Sequence, residues 1–304
     1  MSSIKDRATS ALYAGMVALL IIAPGRSTAQ QSTDILGVLS SYSTIKGDNL
    51  LDVAQRFELG YIELVAANPG INPWVPGSGV EILLPAAHVL PDTAREGIVI
   101  NLADLRLYWF PPDGQAPRSY PIGAGRVGMT TPVGQTRVVR KRANPTWFPT
   151  TATREDNPEL PVAVPPGRNN PLGRHALYLD WPSYVIHGTN DPDGVGRRIS
   201  RGCLRLYSAH IKTLFAEVPI GTKVTIIDQP AKLGWRAEQL FLEIHPAGNE
   251  IDELEETGRF VGRPIVNLVD AIREKAGAQQ ERVDWNSVDI IDTRRRGIPV
   301  QITR

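Results

Sequence analysis

One cysteine, Cys203, is all that the 304 residues contain, so no internal disulfide framework is open to the chain. Net charge is equally scarce: 33 Lys and Arg against 32 Asp and Glu leave +1. That balance provides no basic field of the kind that nucleic acid or an anionic membrane requires. Long apolar runs are missing too. The run from Ala11 to Ala23 falls short of the roughly 20 residues that span a bilayer. With Lys5 and Arg7 before it and Ser27 and Ala29 after it, the run reads as a secretory signal peptide, residues 1–29, cleaved after Ala29. An uncleaved anchor is the alternative. No cysteine lies near the cleavage site, which excludes a lipid anchor on an N-terminal cysteine. Removing 1–29 withdraws three basic residues and one acidic residue, so the mature charge is −1, and no later segment is long enough to span a membrane.

What is plentiful is proline and glycine, 25 and 27 residues, which favours a turn-rich β architecture. The mature length predicts about two domains. Residues 40–86 separate by pattern. A short strand meets Gly47-Asp48, and Leu50, Val53, Ala54 and Phe57 then recur at helical spacing, with Asp48 or Asn49 as the cap. A second helix is expected over Tyr61 to Ala67, ended by Asn68-Pro69-Gly70, before a closing strand. This small α/β unit, strand-helix-helix-strand, resembles the LysM module, which implies binding to N-acetylglucosamine-containing glycan. A packing module without a ligand is the alternative.

Residues 86–96 read as a linker. From 96 to 228, short β-rich runs alternate with turns, and one helix is expected from Ser208 to Val218 with Ser208 as cap. The fold class is therefore a mainly β domain, a β-sandwich or barrel with one capping helix. In the mixed α/β extension, 229–304, helices are expected over Arg263 to Ala276, with Pro264 at the first position, and over Asn286 to Arg296. Arg294, Arg295 and Arg296 read as basic residues favoured by the last turn of a helix rather than as an anion patch.

Three patterns are set aside. Gly123 to Gly128 spells G-x-G-x-x-G, but Pro132 and Gly134 follow where a dinucleotide site needs a helix N-terminus. Asn190 to Gly194 lacks the remaining ligands of a calcium loop. His88, His175, His210 and His245 have no metal-ligand spacing, so neither metal nor cofactor is expected.

A lone thiol in an exported chain asks for a role. His187 lies toward the end of "SYVIHGT", and fifteen residues rich in Gly, Asp and Pro separate it from Cys203. In a strand Cys203 and Arg205 share one face, and Leu204 and Leu206 the other. An imidazole within reach makes the thiol a nucleophile. Gly202 frees the backbone to offer N–H groups to an oxyanion. An inert buried cysteine fits poorly between Arg201, Gly202 and Arg205.

"IHGT" followed by "ISRGCLRL" resembles the L,D-transpeptidase (YkuD-type) catalytic domain, with supporting agreement at "VINLADLRLYWFP", "IGAGRVGMTTPVG" and "NPLGRHALYL". The resemblance implies a periplasmic enzyme acting on peptidoglycan stem peptides. Cys203 attacks the meso-diaminopimelate carbonyl at stem position three, expelling D-alanine and forming a thioester. His187, oriented through the carbonyl of Gly188, is the acid and base. Ser200, Arg201, Gly202 and Arg205 shape the oxyanion and substrate side. The implied acceptors are a second diaminopimelate for a 3→3 cross-link, a lysine of an outer-membrane lipoprotein, or a free D-amino acid. It implies acylation of the same cysteine by carbapenems. Two positions depart from the pattern: Arg201 where histidine is common, and His175 where arginine is common. The competing readings are a cysteine peptidoglycan endopeptidase and a non-catalytic wall-binding protein.

Overall fold

The structure, a computed structural model, describes residues 33–304, so the expected signal segment lies outside the described residues. Among them no helix is long and apolar enough to cross a membrane. The chain opens with β1 (Ile35–Gly37), β2 (Ser40–Ser43), α1 (Leu50–Arg56), α2 (Tyr61–Ala67), β3 (Glu81–Leu84) and β4 (Ala87–Val89). β2 and β3 pair antiparallel around the two helices. Asn49, not Asp48, caps α1 by accepting the Asp52 N–H at 2.9 Å. Asp48 instead takes the Ile45 N–H and Arg56, both at 2.9 Å. Helix α2 is buried along its whole length, more than a seven-residue amphipathic pattern announces, because later parts of the chain enclose it. The expected linker is a strand at its start: β4 pairs with β1, and Val89 N–H donates to Glu243 Oε2 at 2.5 Å. Three residues are too few to show a period.

The central part comprises β5 (Gly97–Asn101), β6 (Arg106–Phe110), β7 (Arg118–Pro121), β8 (Ala124–Gly125), β9 (Gly134–Ala143), α3 (Thr151–Asp156), β10 (His175–Leu179), β11 (Val185–His187), β12 (Arg198–Ser200), β13 (Leu204–Arg205), α4 (Ser208–Glu217) and β14 (Lys223–Ile227). Eight strands form one mixed sheet in the order β13-β11-β10-β9-β14-β5-β6-β7. It curls back on itself: Arg205 on β13 exchanges two N–H···O bonds of 2.9 Å with Gly123, just past β7. The domain is thus mainly β and barrel-like, with one curled sheet in place of the two layers of a sandwich. Helix α4 buries Ile211 and Leu214. Its N-cap is Tyr207, so Ser208 lies inside the helix and caps nothing. A second helix, α3, is capped by Thr150, which accepts the Thr153 N–H at 3.2 Å. Its six residues, five polar and Ala152, carry no apolar period.

The last part holds β15 (Ala231–Arg236), β16 (Gln239–Ile244), α5 (Asn249–Thr257), α6 (Leu268–Ala276), α7 (Trp285–Arg294) and β17 (Val300–Gln301), with the strands in one sheet. Helix α6 starts five residues later than expected, because Asn267 at φ 60° breaks the run, and Pro264 precedes it. Helix α7 stops at Arg294, with Arg295 left-handed at φ 41°. The arginine run is therefore no helix-dipole feature beyond Arg294. Arg295, 3% exposed, places one nitrogen 2.7 Å from both Glu250 oxygens on α5. Arg296 Nε donates to the Ala67 carbonyl at the end of α2, at 3.0 Å. One buried cluster runs from α1 and α2 through the sheet to α5.

Candidate active site

Strands β11 and β13 are parallel neighbours, pairing Ile186 with Leu204 and His187 with Arg205. Side chains alternate across a strand. Ile186, Leu204 and Leu206 accordingly enter the core, all fully buried. The opposite face turns His187, Cys203 and Arg205 toward a cleft of about 920 Å³, which Trp147, Trp181, Tyr184, Ser200 and Arg201 also line. The spacer folds through a 3-10 turn, Pro192–Gly194, and β12.

His187 is 3% exposed, and its Nδ1 lies 2.5 Å from the Gly188 carbonyl oxygen. A carbonyl only accepts, so Nδ1 carries the hydrogen and Nε2 is the basic nitrogen. Burial depresses the imidazole to about 4, against the opposing Gly188 contact and with a further push from Arg205. Burial pushes the Cys203 thiol up, opposed by a hydrogen bond from the Val185 backbone and by Arg205. Cys203 Sγ sits 3.4 Å from the Ser183 carbonyl oxygen. Both shifts favour the neutral thiol and the neutral imidazole over an ion pair.

The loop before Cys203 is tied down by its own side chains. Ser200 Oγ donates to the Cys203 carbonyl at 2.6 Å and accepts the Gly202 N–H at 3.1 Å. Gly202 has φ 104°, and a Cβ there would lie 2.9 Å from Tyr184 Cε1. Both facts call for glycine. Its own N–H is engaged by Ser200 Oγ. Arg201 pairs with Asp156 on α3. The His175 ring packs tilted against Phe215, ring centroids 4.8 Å apart, and does not line the cleft.

Beneath this loop lie residues that sequence reasoning missed. Thr131 Oγ1 donates to the Gly202 carbonyl at 2.9 Å and accepts the Gly125 N–H at 3.2 Å. A Cβ on Gly125 would sit 2.3 Å from the Met129 oxygen and 3.0 Å from Gly202 Cα. The glycine-rich stretch is thus a buttress for the loop that carries Cys203: Ala124 and Gly125 form β8, paired with β12. Its glycine spacing was the only visible signal.

Asp104, Glu243 and His245 meet in a buried cluster of metal-ligand type. Lys232 Nζ stands 2.7 Å from Asp104 Oδ2 and 2.8 Å from Glu243 Oε1, so an ammonium holds the place of a cation.

Residues 95–226 match the YkuD family, the L,D-transpeptidase catalytic domain. Similarity extends well past those bounds. The chain is 40% identical over 266 residues to YcfS, a probable L,D-transpeptidase of Escherichia coli K12, covering 84% of this chain and 83% of that one. The chain belongs to the L,D-transpeptidase family. Also from Escherichia coli K12, the probable L,D-transpeptidase ErfK/SrfK is 40% identical over 256 residues, covering 82% and 81%. YbiS, a third, is 38% identical over 255 residues with the same coverage. As an L,D-transpeptidase the chain is an enzyme, and its cleft holds a cysteine together with a histidine.

Proposed function

We propose that the mature chain is a periplasmic L,D-transpeptidase that acts on peptidoglycan tetrapeptide stems through a thioester on Cys203. The observation that carries this reading is the shared face of β11 and β13, which sets His187 and Cys203 in one cleft. His187 Nε2 takes the thiol proton as Sγ attacks the carbonyl of the L-centre at stem position three. The C–N bond to D-alanine then breaks, and its amine leaves with the proton from His187. An acceptor amine attacks the thioester, gives its proton to His187, and the thiol is re-formed. The acceptor is a diaminopimelate amine, a lipoprotein lysine or a D-amino acid.

Arg205, the register partner of His187, offers positive charge to the thiolate. With the Gly202 N–H donated to Ser200, the N–H facing the oxyanion is that of Cys203 itself, and Gly202 supplies the backbone shape. Ser200 holds that shape, and Arg201 lies on the substrate side. Thioester exchange of this kind calls for no cofactor. The N-terminal unit, read as LysM, binds the glycan whose stems the cleft processes.

Residues 30–304, incubated with disaccharide-tetrapeptide, should release D-alanine or give 3→3 dimers, and a carbapenem should add one acyl group at Cys203. Cys203→Ala should abolish both. Full activity in that variant would overturn the assignment.

A further inference from the structure

Among the described residues the cleft is lined by four arginines, Arg140, Arg142, Arg201 and Arg205, and by no carboxylate side chain. Such a lining favours an anionic ligand. Arg140 lies over the Tyr178 ring at 3.8 Å, and Arg205 is 4.0 Å from Asp191. Arg201 is placed differently. Its partner Asp156 is the last residue of α3, in the strap between β9 and β10 that sends Trp147, Phe148, Thr150 and Thr153 to the cleft. Arg126, from the glycine-rich loop, approaches the same Asp156 oxygen to 3.9 Å. The Met129 sulfur accepts from both guanidinia, at 3.5 and 3.6 Å. One carboxylate thus ties the strap to two loops beside the nucleophile. The side chains of Arg201 and Asp156 are 30% and 52% exposed, so water screens the pair and leaves it exchangeable. A guanidinium fork receives any carboxylate in the same geometry.

We propose that Asp156 is a built-in stand-in for a carboxylate of the donor stem peptide: Arg201 reads that carboxylate beside Cys203, and the arriving substrate takes the guanidinium from Asp156 and frees the strap. This rests on the stem-peptide reading above and deepens it. Two consequences are specific. Asp156 competes with substrate, so the pair sets KM rather than the chemical step. Stems whose carboxylates are amides gain nothing at Arg201, so the cleft discriminates against them.

The experiment compares a tetrapeptide stem with its counterpart whose free carboxylates are carboxamides. Asp156→Asn should lower KM for the carboxylate form roughly two- to fivefold, the range of an exposed ion pair, with kcat unchanged and the amide form unaffected. Arg201→Gln should raise KM for the carboxylate form and cancel the gain in the double variant. Equal shifts for both peptides, or no shift in Asp156→Asn, would overturn the proposal. A second readout needs no turnover: alkylation of Cys203 by iodoacetate and by its neutral analogue iodoacetamide, followed by intact mass. The iodoacetate-to-iodoacetamide rate ratio should rise in Asp156→Asn and fall in Arg201→Gln. An unchanged ratio sinks carboxylate recognition at Arg201; a ratio that moves in a protein releasing no D-alanine upholds it and overturns the stem-peptide reading instead.

Discussion

Gly196, in the spacer between His187 and Cys203, meets Gly60 backbone to backbone: a Cβ on Gly196 would lie 2.2 Å from the Gly60 Cα and 2.3 Å from the Tyr61 nitrogen. The Ile62 N–H donates to the Gly196 carbonyl at 3.1 Å, and Gln55 donates to Asp193 at 2.5 Å. The N-terminal unit therefore sits on the segment that joins His187 and Cys203. Deeper in, one nitrogen of Arg106 on β6 lies 2.8 and 2.7 Å from the two Glu63 oxygens, with both side chains buried.

Gly196→Ala should consequently damage more than a loop. The new methyl collides with backbone rather than a movable side chain, at φ 75°. A loss of about 2–3 kcal/mol in urea unfolding is expected, together with slower D-alanine release, since the displaced spacer carries His187 and Cys203 at its two ends. An unaltered unfolding midpoint would show that the two parts are not held together here.

The titration of His187 fixes the pH behaviour. Its folded value of about 4 lies below the ordinary 6.5, so as pH falls the unfolded chain takes the proton first. Its share of stability is whole above about pH 6.5, and roughly 3 kcal/mol of it is lost by pH 4. The same value keeps Nε2 basic in acid, so the acid limb of kcat/KM should fall near pH 4 rather than near 6.5. Iodoacetamide alkylation of Cys203 should rise through one inflection above that of an ordinary thiol, with no plateau at low pH. Rapid alkylation at pH 5 would reveal a thiolate-imidazolium pair and contradict the neutral one.

Lys232 is fully enclosed between Asp104, Glu243 and the Tyr108 hydroxyl. Burial would raise the Glu243 carboxyl, but Lys232, His245 and His88 hold it well below the usual carboxylate range. Lys232→Met leaves two carboxylates buried without their cation, a loss of about 3–5 kcal/mol. Combining it with Glu243→Gln should recover part of that loss. A chelator should leave the melting temperature of the unaltered protein where it was, because the ammonium fills the centre of the cluster.

Legibility in the sequence followed the range of each interaction. Helix α1 and the alternation of Leu204, Arg205 and Leu206 were readable, because a period of 3.6 or 2 is written in consecutive residues. His187 and Cys203 were named through a motif, and their meeting depended on strand pairing that no local signal reports. β4 looks like a linker in sequence because three residues show no period, and its partner β1 lies some fifty positions away. The arginine run was misread because Glu250 and Ala67, which receive Arg295 and Arg296, are brought there only by tertiary structure. Thr131 carries the same lesson at the site itself, since its partner Gly202 is 71 residues distant.

Thr131→Val tests whether that buttress matters to chemistry. Valine keeps the volume and branching of threonine but takes the hydrogen bond from the Gly202 carbonyl and the acceptor from the Gly125 N–H. Two buried backbone groups lose a partner, which should lower stability by about 1–3 kcal/mol. The larger effect should fall on rate. Gly202 sets the approach of Cys203, and a displacement of the order of 1 Å at a nucleophile costs about a hundredfold. Acylation of Cys203 by a carbapenem, timed by intact mass, should slow by that order. Thr131→Ser restores the hydroxyl and should return most of the rate. If Ser and Val behave alike, the methyl and not the hydroxyl positions the loop.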